Sequence, residues 1–353
     1  MSAITDFLYG VLTSINGLVN NYGVSIIVFT ILMRLVCMPF DYRSRKGMRK
    51  MAVIQPKLNE LQKKYGNDKE KFQKKQAELM KKEGYNPLSG CLPMLLTWPL
   101  MIAMFAAMRA IANEQLAVQV FRYLSGQENV ITAADRFLWV KNIWITDSPF
   151  ASIAPTAENL RLLTADVWQR ALAQFESNPD AFAAIQSSLK SVAENAVLDF
   201  STTDAMQLTV ANMVSALQTM PGYNAAVASV PGWTGVSFLL FSITLFQNYN
   251  GLLILPILAG VSQILSTKFN PQMREQAQAQ PSAEGQQNGM NNFMKYFFPI
   301  LSVFFCLTSN AGFAVYWVTS TCFMWVQGIV ITKILEKQDE KKAQSVSGEG
   351  SVK

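Results

Sequence analysis

The sequence predicts an all-α integral membrane protein: a bundle of five transmembrane helices, a cytoplasmic helical hairpin and an extra helical module on the outside. Three observations carry this expectation. Half of the 353 residues are apolar and only 15% are charged, which lies outside the composition of ordinary water-soluble domains. Apolar runs near the roughly 20 residues that a helix needs to cross a bilayer occur at 23–40, 91–112, 251–267, 293–309 and 311–331. The basic residues are unevenly shared: the connection 41–90 holds 14 Lys and Arg against 6 acids, whereas 113–250 holds 6 against 11. Lysine and arginine mark the cytoplasmic side of a membrane protein, so the first connection is expected inside and the second outside. Five spans then put the N-terminus outside and the C-terminus in the cytoplasm.

The elements follow in order. Residues 1–22 carry Phe7, Leu8, Val11, Leu12, Ile15 and Leu18 at helical spacing, as expected of an amphipathic helix on the outer surface. No basic n-region or cleavage site suggests a removable signal there. The span 23–40 leads into 41–90, where Met48, Met51, Ile54, Leu58 and Leu61 recur every three or four residues among lysines and arginines. That pattern predicts one amphipathic helix, kinked at Pro56 and ended by Gly66. Asn67 with Glu70 reads as a capping box for a second helix over 68–83, with Phe72, Leu79 and Met80 inward, stopped by Gly84 and Pro87. The hairpin's charge suits topology and anionic lipid, or a docking arm for a cytoplasmic partner. A second span at 91–112 precedes the long outside segment 113–250. Spans three to five occupy 251–335, with a Gln- and Asn-rich cytoplasmic loop over 268–292, and 336–353 reads as a flexible tail. The apolar stretch 236–246 is too short to span and is expected in the interface or leading into the third span.

Composition also excludes chemistry. The chain has no histidine, which removes Ser-His-Asp and Cys-His catalysis and histidine-bound metals. Cys37, Cys91, Cys306 and Cys322 all lie in apolar stretches with no C-x-x-C spacing, and read as small buried hydrophobes. No P-loop is present, and neither a cofactor nor bond-breaking chemistry is expected.

One residue breaks the apolar pattern. Arg34 sits six residues before the end of GVSIIVFTILMRLVCMPF, about 9 Å inside at 1.5 Å per residue. An arginine at a span's centre costs about 2.5 to 3.5 kcal/mol on the insertion scale. It can snorkel to the cytoplasmic interface. Alternatively, since no span contains Asp or Glu, it faces a hydrated cavity as a fixed positive charge for acidic groups on a visiting chain. Thr30 lies one turn earlier on the same face.

The ordered set GVSIIVFTILMRLVCMPF, QPKLNELQKKYGNDKEK, NPLSGCLPMLLTWPLMIAMF, ILPILAGVSQ and SNAGFAVYWVTST resembles the YidC/Oxa/Alb family of membrane protein insertases. The resemblance implies a five-helix bundle around a hydrophilic groove, open to cytoplasm and lipid and closed outside. A client's apolar segment slides along its greasy edge while polar flanks occupy the groove. The family's groove arginine falls on Arg34, its threonine on Thr30, and its paired aromatics on Tyr316 and Trp317; Ser320, Thr321 and Gln327 are weaker groove candidates. Tyr316 and Trp317 read equally as bundle packing. Met94, Leu95, Met101, Met104 and Phe105 suit the greasy slide, or an ordinary core stripe.

Implied partners are nascent membrane proteins and the lipid bilayer, with a SecY-type translocon, signal recognition particle machinery and the ribosome as further candidates through the basic hairpin. The compartment expected is the bacterial cytoplasmic membrane. FLWVKNIWITDS at 137–148 resembles the family's short outside connector, so the additional module is expected over about 149–231. Three helices are predicted there, at 158–176, 180–198 and 204–220, with Leu162, Leu163, Val167, Trp168, Ala171 and Phe175 as a buried face. The charge-balanced tail EKQDEKKAQSVSGEGSVK departs from the long basic tail of ribosome-binding members. A structural membrane subunit and a small-solute transporter are the alternatives; the transporter would need repeated halves and paired ionisable groups.

Overall fold

The computed structural model describes residues 3–66, 68–84, 87–238, 241–269 and 286–349. The chain divides into two compact units: Met1–Phe29, Ala103–Leu258 and Val303–Trp317 form the first, and Thr30–Ile102, Ala259–Ser302 and Val318–Lys353 the second. Among the described residues the regular structure is helical apart from one two-stranded β-ribbon.

Helix α1 (Ala3–Val19) is followed by α2, which runs unbroken from Tyr22 to Tyr65 with Pro39 and Pro56 inside it. The sequence suggests a span and a separate hairpin arm because apolar residues fill the whole run before Phe40 and only a stripe after it. Asp41, Ser44 and Gly47 lie just past Phe40, yet the backbone stays helical through them, so one helix carries both patterns. Each proline removes one i→i−4 bond and leaves the rest of the ladder intact.

Helix α3 (Lys69–Lys82) starts at Asp68, whose carboxylate accepts from the Lys71 amide at 3.1 Å. Asp68 is therefore the cap in place of the expected Asn67, which lies outside the described residues. Gly84 sits at φ +60° just beyond the helix, a conformation that glycine adopts without steric cost. Met51, Ile54 and Leu58 of α2 are buried, with Leu79 and Met80 of α3 packed against them. Lys57 pairs with Glu83 at 2.6 Å, and the cation holds that exposed carboxyl below the usual range.

The next helix, α4 (Pro87–Leu124), outlasts the predicted span by twelve residues. Its last turns, with Ala117, Val120, Phe121 and Leu124 buried, belong to the core of the inserted module. That module contains α5 (Ala157–Arg161), α6 (Ala165–Glu176), α7 (Pro179–Lys190), α8 (Thr203–Gln218) and α9 (Pro221–Val227). The first predicted helix is two: the chain turns at Leu162 and Leu163, and Thr164 is the N-cap residue of α6. Leu162, predicted inward, is 75% exposed at this turn, whereas Leu163, Val167, Trp168, Ala171 and Phe175 are buried. Asn178 and Thr202 cap α7 and α8 through the Ala181 and Ala205 amides. Helix α8 ends at Gln218, short of Pro221, which begins α9, where a missing N–H costs nothing. Trp168 lies at the centre, edge-on to Phe121 at 5.8 Å and stacked on Phe200 at 5.9 Å.

The stretch 236–246 opens with the ribbon, β1 (Val236–Phe238) and β2 (Phe241–Ile243), paired in antiparallel register. Its aromatic and β-branched residues favour strand.

Among the described residues three helices remain: α10 (Ile254–Phe269), α11 (Gln286–Thr308) and α12 (Ala311–Glu349). Helix α12 continues fourteen residues into the predicted flexible tail, since EKQDEKKAQ contains good helix formers and no breaker. The predicted loop 268–292 falls largely outside the described residues; its last part, from Gln286, is helical.

The segment 137–148 ties the first unit together. The Ala311 and Gly312 amides donate to Ile145 and Ile143 carbonyls, at 3.0 and 2.8 Å. Asp147 accepts from the Leu252 and Leu255 amides at 2.8 and 2.7 Å, capping α10. The Asn250 side chain donates to the carbonyls of Asn142, Ile145 and Thr146 and accepts from the Asn142 amide. Asn142, Asp147 and Asn250 are buried, and these bonds supply the partners that buried polar groups require. Any Cβ at Gly251 would collide with the Asp147 carboxylate.

Candidate functional site: an inside-out polar track

On α2 the usual arrangement is reversed. Ser25, Thr30, Ser44 and Arg45 are buried, while Val24, Val28, Leu32, Leu35, Val36 and Phe40 are exposed, Val36 by 66%. Other helices repeat this. On α10, Gln263 and Ser266 are buried and Ile257, Val261, Ile264 and Phe269 exposed; on α11, Ser302 is buried and Ile300 and Phe304 exposed. Apolar faces of this extent are incompatible with water. Tyr22–Met51 and Ala311–Lys341 are, among the described residues, long and apolar enough to cross a membrane. At 1.5 Å per residue each reaches about 45 Å, against a hydrocarbon core of about 30 Å.

Within the second unit the buried polar groups of α2 meet those of α12 in a ladder. Arg34 donates from Nε to Ser320 Oγ at 3.0 Å and from Nη2 to the same oxygen. Gln327 donates to Asp41 at 2.9 Å. Arg45, 1% exposed, donates to the Gly328 carbonyl and to Thr332 Oγ1, the latter at 2.8 Å. Arg49 closes the series, pairing with Glu336 at 3.6 Å and Asp339 at 3.1 Å. Partners rise in number together along both helices, so α2 and α12 lie side by side in the same direction. From Arg34 to Arg49 the track is about 22 Å long.

The structure thus places the predicted residues unevenly. Arg34 and Ser320 come together directly, Gln327 reaches Asp41, and Thr30 and Thr321 are buried on the same two helices. Arg34, expected to face water or an incoming carboxylate for want of an acid in the spans, meets the Ser320 hydroxyl, and among the described residues no carboxylate pairs with it. Tyr316 and Trp317 lie in the first unit, where Phe313 packs at 6.1 and 5.5 Å from their rings. Met104 is buried and Phe105 is edge-on to Phe313 at 5.0 Å, so both are packing residues here and Met104 lies on no exposed edge. The side chains of Met94, Leu95 and Met101 lie outside the described residues.

Sequence reasoning missed Asp41, Arg45 and Thr332. A signal existed: positions 34, 41 and 45 share one helical face, visible if the helix is continued past Phe40. Arg45 is hidden in RSRKGMRK, where composition cannot distinguish one inward cation from its solvated neighbours.

A family model described as 60Kd inner membrane protein matches residues 14–228 and 222–339. Similar curated relatives, each named Membrane protein insertase YidC, come from Chlorobium limicola, 38% identical over 138 residues, and Anaeromyxobacter dehalogenans, 36% identical over 136. The match to the first takes in 39% of this chain and 21% of the relative, and that to the second 38% and 22%. The chain thus aligns with about a fifth of the length of these relatives. With the family model matched along nearly its whole length, the chain belongs to the 60Kd inner membrane protein family, the YidC/Oxa/Alb family that its motifs resemble.

Proposed function

We propose that the protein is a membrane insertase and chaperone of the bacterial inner membrane, acting through the polar track between α2 and α12. The observation that carries this reading is the Arg34–Ser320 contact: a cation held by a neutral hydroxyl keeps its full charge. An ion pair would cancel it. That charge attracts acidic flanks of a client, and buried hydroxyls and amides replace part of the water those flanks lose. The driving force is burial of the client's apolar span in lipid, so no bond is broken and no nucleotide is consumed.

The parallel course of α2 and α12 supports five crossings. Two helices that cross in the same sense need an odd number of crossings between them, and α4, α10 and α11 provide three. The positive-inside rule then puts 41–90 and the C-terminus in the cytoplasm and the inserted module outside. Nascent membrane proteins are the substrates; the basic hairpin is the surface for a translocon, targeting factor or ribosome.

The test is client insertion in cells depleted of the host's own insertase and supplied with this chain or its variants. Arg34→Ala at unchanged protein level lowers insertion of clients with acidic outside-facing flanks, and Arg34→Lys largely restores it. Equal insertion by the alanine variant would refute the charge mechanism.

A further inference from the structure

The four cations of α2 between Arg43 and Arg49 divide into two kinds. Arg45 and Arg49 turn toward α12 and are engaged there. Arg43 and Lys46 are exposed, and among the described residues have no carboxylate partner. These two cations line a cavity of about 490 Å3 beside α12 whose remaining wall is apolar: Leu35, Met38 and Pro39 from α2, Ile331 and Ile334 from α12. Tyr42 stands between the two parts and donates its hydroxyl to Gln338 at 2.9 Å.

The cavity is amphipathic along the helix axis. From Leu35 to Lys46 it extends about 16 Å at 1.5 Å per residue, crossing the point at Phe40 where the exposed apolar face of α2 ends and its charged face begins. A free anion would use only the charged end and leave the apolar wall bare. A hydrophobic peptide would use the wall and leave two cations unanswered. A phospholipid with an anionic headgroup answers both: acyl carbons against Leu35, Pro39, Ile331 and Ile334, phosphate between Arg43 and Lys46, and a tyrosine at the border where amphipathic rings settle.

We propose that this cavity is a binding site for an anionic phospholipid, with Arg43 and Lys46 as headgroup ligands. Basic pockets between membrane helices on the cytoplasmic side hold anionic headgroups by this chemistry. The proposal rests on α2 and α12 standing in a bilayer. It is independent of the Arg34 mechanism, so its failure and that of client insertion are read separately.

The experiment is native mass spectrometry of the full chain in detergent with added phosphatidylglycerol or phosphatidylcholine. The expected result is selective retention of phosphatidylglycerol, reduced on the order of twentyfold in Arg43→Gln/Lys46→Gln, since each cation near an anionic lipid contributes about fivefold. Lys74→Gln/Lys81→Gln, which removes equal charge from an exposed part of α3, leaves retention unchanged. Leu35→Trp, which fills the apolar end and spares the charges, also lowers it. Equal retention by the Arg43/Lys46 variant, equal loss in the Lys74/Lys81 variant, or displacement of lipid by glycerol phosphate at matched concentration would each overturn the proposal.

Discussion

The inserted module and the α2–α12 pair obey opposite solvent rules within one chain. In the module Trp168, Phe121, Leu160, Ile185 and Leu217 are buried, and the charges of Asp166, Glu176, Asp180 and Asp204 face outward. Along α2 and α12 arginine, serine and glutamine are buried, and valine, leucine and phenylalanine are exposed. The first is the interior of a protein in water. The second is that of a protein whose solvent is hydrocarbon, where backbone and side-chain polar groups must be satisfied internally. The lesson is that burial alone does not identify a core: what a residue is buried with tells which solvent lies outside.

This contrast can be broken experimentally, beginning with the largest effect. Trp168→Ala empties the centre of the module and is expected to cost about 3 to 5 kcal/mol, enough to expose the module to limited proteolysis. The same test on Leu32→Ala, on the exposed face of α2, should change nothing measurable in detergent. Unequal outcomes in the reverse order would put the two solvent rules in the wrong regions. Next in size, Arg45→Ala leaves the Gly328 carbonyl and Thr332 hydroxyl without this donor, at about 1 to 3 kcal/mol. Thermal unfolding in detergent reads this, and a shift no larger than that of Arg49→Ala would contradict the buried role of Arg45. Arg49, whose partners Glu336 and Asp339 are exposed, is worth about 0 to 1 kcal/mol and should lose that value as salt is raised.

The smallest expected effect is alkaline and confined to the module. Burial, together with the neighbouring Tyr123, pushes the Tyr223 phenol up to about 12. Tyr223 donates to the Pro155 carbonyl at 3.0 Å and faces Tyr123 edge-on at 5.5 Å. A folded-state value above the unfolded one of about 10 means that the stabilisation is fully present below pH 10 and is lost as pH rises toward 12. Tyr223→Phe therefore lowers stability slightly at neutral pH and makes its alkaline decline shallower. An unchanged pH profile by circular dichroism would show that Tyr223 does not report the module's folding.

How much could be read in advance depended on whether a local rule matched the true environment. Arg34 was legible because a lone cation in an apolar run violates composition. Arg45, more deeply buried, was not, because its neighbours are also cationic and only three-dimensional pairing with Gly328 and Thr332 separates it from them. The starts of α7 and α8 were legible at Asn178 and Thr202, whose side chains satisfy the first amides, but α7 ends at Lys190, eight residues short of the predicted 198. The break before α6 was signalled by Thr164 two residues before Asp166, which accepts from its hydroxyl, yet the apolar periodicity across Leu162 and Leu163 outweighed it. The ribbon at Val236–Ile243 was not foreseen as strand, because a short apolar stretch fits strand and helix alike until its partner is known. Ser320 was named among groove candidates without a role, since a hydroxyl on α12 acquires meaning only when α2 brings Arg34 to it.

The most direct test of the account is site-specific photocrosslinking from Trp317, one helical turn before Ser320 on α12, to a stalled nascent single-span membrane protein. A matched soluble nascent chain and a probe on the module surface at Leu162 serve as controls. Crosslinks are expected from Trp317 to the membrane client alone, and none to the soluble chain. Full probe incorporation without any client crosslink, with capture only from Leu162, would contradict it and point to a structural subunit whose module binds the partner.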